Sequence, residues 1–273
     1  MKTYLCLLSL CFNCFCFAQN LRSLGSESTA LANSTVSYSH LFVQHINPAL
    51  LTSNAGFSFG ANYSNKFLMK ELQFQQVQLN RSYEKSSFGL ALSYLGSSLQ
   101  QNLQFKLGYA LKLNETFSMG VNLKYAYLNV NRSEFLLHKV NADLGLHYIV
   151  NDKIDLGASL INMCRPKLSE TESLQSLRAM YFGIKYKLTE ASGVLLQLNN
   201  YSTYGFSVNS GIYCSLNSQF KIMFGLDLNN WSFSGGMWFR FKRVCCVLSF
   251  KHHATLGISP DFNFEYKSKV DVE

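Results

Sequence analysis

Phe117-Ser118-Met119-Gly120-Val121-Asn122-Leu123-Lys124-Tyr125-Ala126-Tyr127 (residues 117–127) is the stretch that decides the fold. Its odd positions, Phe117, Met119, Val121, Leu123, Tyr125 and Tyr127, are bulky and apolar; its even positions are Ser, Gly, Asn, Lys and Ala. Successive side chains of a strand point to opposite faces, so this stretch reads as a strand with one greasy face and one small or polar face. The same period of two recurs at Phe88 to Tyr94, Leu103 to Leu111, Met180 to Leu188 and Phe220 to Leu228. A soluble sandwich alternates too, but its outer face carries many charged and polar β-branched residues. Here the non-apolar face is Gly, Ser, Asn and Ala with isolated Lys and Asp, which suits the crowded inner wall of a barrel whose outer face meets lipid.

Extended along the chain, the pattern predicts an all-β, antiparallel transmembrane β-barrel of about fourteen strands. They fall near 55–63, 72–79, 86–95, 102–112, 116–129, 138–149, 153–162, 179–188, 192–200, 206–216, 218–229, 231–242, 244–253 and 258–267. Segments of ~10 residues match what a tilted strand needs to cross hydrocarbon. In the second, Leu72 and Phe74 are out of phase with Val77 and Leu79, which predicts a bulge. Tight turns are expected around Asn114, Asn151-Asp152, Glu190, Asn217 and Lys242-Arg243, with the longest connection running from Met163 to Arg178. Short turns at every second connection mark the periplasmic side, and an even strand count then places both termini in the periplasm. Tyr109, Tyr148, Tyr186 and Tyr266 would form the inner aromatic girdle, and Tyr63, Tyr94 and Tyr127 the outer one.

The N-terminus reads as a cleaved signal peptide, residues 1–18: Lys2, an apolar stretch from Tyr4 to Phe17, then the small-residue point Phe17-Ala18-Gln19. About 14 apolar residues are too few to span as a helix. The expected division is therefore signal peptide 1–18, plug or hatch 19–53, barrel 54–267 and periplasmic tail 268–273. Residues 20–52 do not alternate and are rich in Ser, Ala, Asn and Leu. They hold enough apolar residues to pack, which favours a plug in the lumen over a frayed tail. Four of the eight cysteines fall in the signal peptide; Cys164, Cys214, Cys245 and Cys246 have neither disulfide-framework nor metal-ligand spacing.

The charged fraction is 15% and the net charge +8, against ~25% charged residues in a typical soluble domain. The basic residues are spread singly, so no nucleic-acid partner is expected; lipid of the outer membrane is. The parity of the strands turns Lys106, Lys124, Asp143, His147, Lys185, Lys221, Asp227 and Arg240 inward. They would form a polar wall packed against the plug, or else a weakly cationic path for anionic amphiphiles. His252-His253, Ser259 and Asp261 sit close together near the end of the last hairpin. Adjacent histidines on a strand face opposite ways, however, and neither a Gly-x-Ser-x-Gly elbow nor a third metal ligand accompanies them. No catalytic, cofactor or metal site is expected. The longest loop, MCRPKLSETESLQ (residues 163–175), is polar and lacks an aromatic anchor.

Residues 25–51, GSESTALANSTVSYSHLFVQHINPALL, resemble the segment that opens the FadL-like outer-membrane barrels of the PorV and PorQ group, associated with type IX secretion. The matching positions are Ala32-Asn33 and Asn47-Pro48-Ala49-Leu50. The run from His253 to Pro260, followed by DFNFEY, is similar to the terminal strand of short members. The chain departs from the group in its small outer loops and in ending KSKVDVE, so the assembly signal would be internal, at Phe262, Phe264 and Tyr266. The resemblance implies a non-catalytic accessory of type IX protein secretion or surface display, with secretion-system proteins or secreted cargo as partners. The alternative it implies is FadL-like passive transport of small hydrophobic molecules. A transporter should show a continuous apolar lumen pocket and a wall opening beside the plug; an accessory should show a filled lumen and co-purify with a large partner.

Overall fold

A computed structural model describes residues 24–54, 56–96, 100–130, 135–164, 178–202 and 205–268. The expected signal peptide, nearly all of the 163–175 loop and the last five residues of the tail lie outside the described residues. The strands are β1 Phe57–Asn65, β2 Gln73–Ser82, β3 Ser86–Gly96, β4 Gln100–Lys112, β5 Phe117–Val130, β6 Phe135–Asn151 and β7 Ile154–Ile161. They continue as β8 Ala179–Thr189, β9 Ser192–Tyr201, β10 Gly205–Asn217, β11 Phe220–Asp227, β12 Ser232–Phe241, β13 Val244–His253 and β14 Gly257–Lys267. Each pairs antiparallel with its chain neighbours, and β1 pairs with β14 to close a fourteen-stranded barrel. Closure leaves no edge of unpaired backbone groups, the condition for strands to lie in hydrocarbon.

The alternation sets the faces. Phe88, Leu123 and Phe224 are more than half exposed on the outside, whereas Lys106, Lys124 and Asp143 on the inside are at most 2% exposed. A continuous greasy exterior around the whole barrel is incompatible with water and is what a lipid-facing wall requires. The interior is polar, lined by residues such as Asn62, Gln78, Asn122, Gln197 and Asn263. It is filled by the segment before β1, which carries the short helix α1 (Ser26–Ala30) and two 3-10 turns, Leu41–His45 and Pro48–Ser53. Leu31, Val36, Leu41, Phe42, Ile46, Leu50 and Leu51 of that segment are almost wholly buried.

The connections 113–116, 152–153, 190–191, 218–219 and 242–243 are short and share one rim with residues 83–85. Pairing of Ser58 with Lys267 brings both ends of the barrel wall to that same rim. Register shifts at Ile149/Asn151, Lys187/Thr189 and Ser215/Asn217 all sit beside these turns. The bulge expected in the second strand is absent: β2 pairs with β1 and β3 without a shift. Leu72 lies before the strand, in the 3-10 turn Lys70–Leu72, and Phe74 turns into the lumen at 5% exposure. The break in phase is thus an apolar residue on the inner wall, and the ladder stays regular.

Candidate functional site

The feature that decides what the barrel can do is the contact between its wall and residues 26–53. The inner faces of neighbouring strands bring glycines opposite one another: Gly89 to Gly108, Gly120 to Gly145, Gly157 to Gly183 and Gly211 to Gly225. Each lets the inserted backbone or a side chain approach closer than any Cβ permits. A Cβ on Gly120 would lie 2.6 Å from the Ala49 amide nitrogen, one on Gly157 2.1 Å from the Val36 carbonyl oxygen, and one on Gly225 2.4 Å from the Ala32 nitrogen. The segment therefore rests directly on the wall, main chain against main chain.

Polar side chains hold it there. Asn47, extended at φ −141°, precedes Pro48 at the first position of its 3-10 turn, and its Oδ1 accepts from the Ala49 amide at 3.1 Å. Its Nδ2 donates to the Val36 carbonyl at 2.8 Å and to the Leu146 carbonyl of β6 at 2.9 Å. One side chain thus ties the turn to another part of the inserted segment and to the wall. Ala49 and Leu50 behind it are buried. Ala32 and Asn33 take left-handed φ values of 51° and 62° after α1. The Ala32 amide donates to Ser234 Oγ at 3.0 Å and its carbonyl accepts from Asn209 Nδ2 at 2.5 Å. The start of α1 is held by Asp261, which accepts from Ser26 Oγ at 2.6 Å and from Thr29 Oγ1 at 3.0 Å.

Lys124, Lys185, Lys221 and Lys251 on the inward side each meet an acidic side chain. Lys124 and Asp143 form a fully buried ion pair, and Asp143 also accepts from the Asn162 amide at 2.8 Å. Lys106 Nζ lies 2.8 Å from Nδ1 of His45 in the inserted segment. Lys185 meets Asp155 at 2.8 Å, and Lys251 meets Asp227 at 3.1 Å. Lys221 donates to the Tyr38 hydroxyl at 2.8 Å, stands 3.8 Å from Glu27 and sits 4.9 Å over the Trp238 ring. The Arg240 guanidinium lies 5.7 Å from the centre of that ring. His147 is buried at 8% exposure. Burial pushes the imidazole of His40, inside the lumen, down to about 4.

The histidines of the last hairpin do not assemble with Ser259 and Asp261. His252 stacks outward on Phe233 at 4.6 Å, His253 accepts within its own turn, Ser259 accepts from the Phe67 amide at 3.0 Å, and Asp261 holds α1. Among the described residues no group of three or more His, Cys, Asp or Glu could hold a metal ion. The glycines, together with Asn209, Ser234 and Gln197, are the contact residues that sequence reasoning did not single out, and Asp261 was noted only beside the histidines of the last hairpin. Their signal was present as small and amide residues on the inward parity, but which of them meet the inserted segment depends on long-range register.

A closed barrel with a greasy exterior and a lumen packed by its own N-terminal segment defines a plugged outer-membrane β-barrel. The chain belongs to the type IX secretion system membrane protein PorP/SprF family, whose model matches residues 34–271. This agrees with the type IX association implied by the opening and closing motifs, while the family matched is PorP/SprF and not the PorV/PorQ group those motifs resemble. No curated protein matches the chain in sequence. Among solved structures, the chain is similar to the CymD monoaromatic hydrocarbon channel, with 12% identity, a TM-score of 0.69 and coverage of 93% of this chain and 100% of that one. The toluene transporter TodX of P. putida is similar at 11% identity and TM-score 0.68, covering 92% and 100% of the two chains. A Pseudomonas aeruginosa FadL homologue follows at 8% identity and TM-score 0.59, covering 90% and 98%. At these identities the likeness is one of fold.

Proposed function

We propose that this barrel is a non-conducting, non-catalytic accessory of type IX protein secretion or surface display, with its short turns and both termini in the periplasm. The observation that supports the reading is the direct seating of residues 26–53 on the inner glycines, main chain against main chain, as a filled lumen requires. Among the described residues the antiparallel ladder closes around the wall with its register shifts beside the short turns, which supports a wall without a lateral exit. The PorP/SprF membership supports a secretion-system partner or secreted cargo. The second reading, passive transport of small hydrophobic molecules, is favoured by the likeness to barrels titled as hydrocarbon channels. Pull-down of the tagged barrel from native outer membranes, followed by mass spectrometry, separates the two. Recovery of translocon components or cargo is expected; recovery of the barrel alone, together with toluene uptake into liposomes carrying it, would replace the accessory reading by the transport one.

A further inference from the structure

On the outer wall, beside the short turns of β10 to β13, the side chains leave a notch of about 360 Å³. Register explains it. Phe220 lies opposite Phe239, Phe239 opposite Cys246 and Cys246 opposite Phe264, so one short side chain interrupts a row of phenyl rings. Phe220 and Phe239 pack at 5.0 Å on one side of the gap, and Phe241 and Val244 close its rim. None of the residues lining the notch bears a carboxylate.

The turn at the rim is Lys242-Arg243, both exposed, with Lys242 Nζ 5.9 Å from the Phe241 ring. This turn differs from the other charged turns on the same rim. Glu84-Lys85, Asp152-Lys153 and Glu190 each carry an acidic residue, and Glu115 stands in the 113–116 turn. Only at the notch do two adjacent cations stand uncompensated in their turn. An apolar bed on a lipid-facing wall draws its occupant from the bilayer, and two cations at its end select a lipid with an anionic headgroup.

We infer that the notch is a binding site for one glycerophospholipid, an acyl chain lying along Phe239 and Cys246 and the phosphate held by Lys242 and Arg243. The inference is independent of whether the barrel serves secretion or transport. The test is native mass spectrometry of the delipidated full-length barrel in detergent. It is given phosphatidylglycerol, a diacylglycerol with the same chains, or inorganic phosphate. One tightly held phosphatidylglycerol is expected, with neither of the other two retained. At ~1 kcal/mol for each surface cation, Lys242→Glu with Arg243→Glu weakens retention by roughly thirtyfold or more. Cys246→Phe fills the bed and lowers retention while leaving the cations in place. Should that variant fail to fold, the turn variant decides alone, because exposed turn residues do not hold the barrel together. Equal retention of diacylglycerol, binding of phosphate alone, a smear of many weak lipid adducts, or a turn variant that holds phosphatidylglycerol like the parent would overturn the assignment. So would finding the notch occupied by a co-purified protein segment.

Discussion

Replacing Gly157 by alanine tests whether the inserted segment is seated on the wall as closely as the geometry requires. The added Cβ would fall 2.1 Å from the Val36 carbonyl oxygen and 2.5 Å from its carbon. Nonbonded carbon and oxygen do not approach so closely, so the segment must retreat by roughly 1 Å. Two hydrogen bonds anchor Val36: its amide donates to Gln197 Oε1 at 2.9 Å, and its carbonyl accepts from Asn47 at 2.8 Å. Stretching or losing both costs about 3 kcal/mol, since each is buried and neither partner can reach water. That raises the undocked population roughly a hundredfold. The barrel itself gains nothing adverse, because alanine suits a strand better than glycine. Chymotrypsin reads the effect at Tyr38 and Phe42, which are 6% and 0% exposed when docked. Cleavage that tracks the undocked population should accelerate about a hundredfold in G157A. The control is Gly235→Ala, whose Cβ meets only phenyl ring atoms, at 3.3 Å and beyond. Heat-modifiable gel mobility confirms that both barrels are closed. If G157A is cut no faster than G235A, the seating argument is wrong.

Two further outcomes follow from the lumen charges. Lys124→Met leaves Asp143 buried without its cation and should lower the urea midpoint by the equivalent of about 3–5 kcal/mol. Adding Asp143→Asn should restore most of it, because the amide oxygen still accepts from the Asn162 amide; equal midpoints for the single and double variants would refute the pairing. His40 supplies a pH dependence. Its imidazole titrates near 4 when folded against an ordinary 6.5, so the folded state keeps it neutral where the unfolded chain would charge it. Its contribution is complete above 6.5 and is lost as pH falls toward 4, by about 3 kcal/mol. Glu27, Lys221 and Lys267 act on it as well, so the comparison is with His40→Gln, which should flatten the thermal midpoint across that window. Identical slopes in the two proteins would show that His40 is not the group responsible.

Period-two alternation carried the strands, because a barrel wall is the one place where every residue must face either lipid or lumen. It failed at β2 for a physical reason. Phe74 is apolar yet buried on the inward face, so hydrophobicity stopped reporting direction at that residue. Of the inward charges, parity could state only a shared face. That Lys124 meets Asp143 follows from the β5–β6 register, and that Lys106 meets His45 follows from the path of a segment 61 residues earlier. No local pattern encodes either. The glycines were visible individually as small inward residues, but their function arises only where the inserted segment crosses them.

The interior chemistry also bears on how the segment and wall must fold. A greasy plug could slide along a greasy lumen at little cost, but this lumen is lined with amides and hydroxyls that each demand a partner. Asn209, Gln78, Gln197 and Ser234 meet main-chain groups of residues 30–41, so the wall supplies hydrogen bonds that a helix or sheet would otherwise provide. Conversely, Asp261 draws two of its partners from α1, and Lys221 draws on Glu27 and Tyr38. Withdrawing the segment would strand donors and acceptors on both sides at once. Its docking is therefore coupled to the stability of the wall itself.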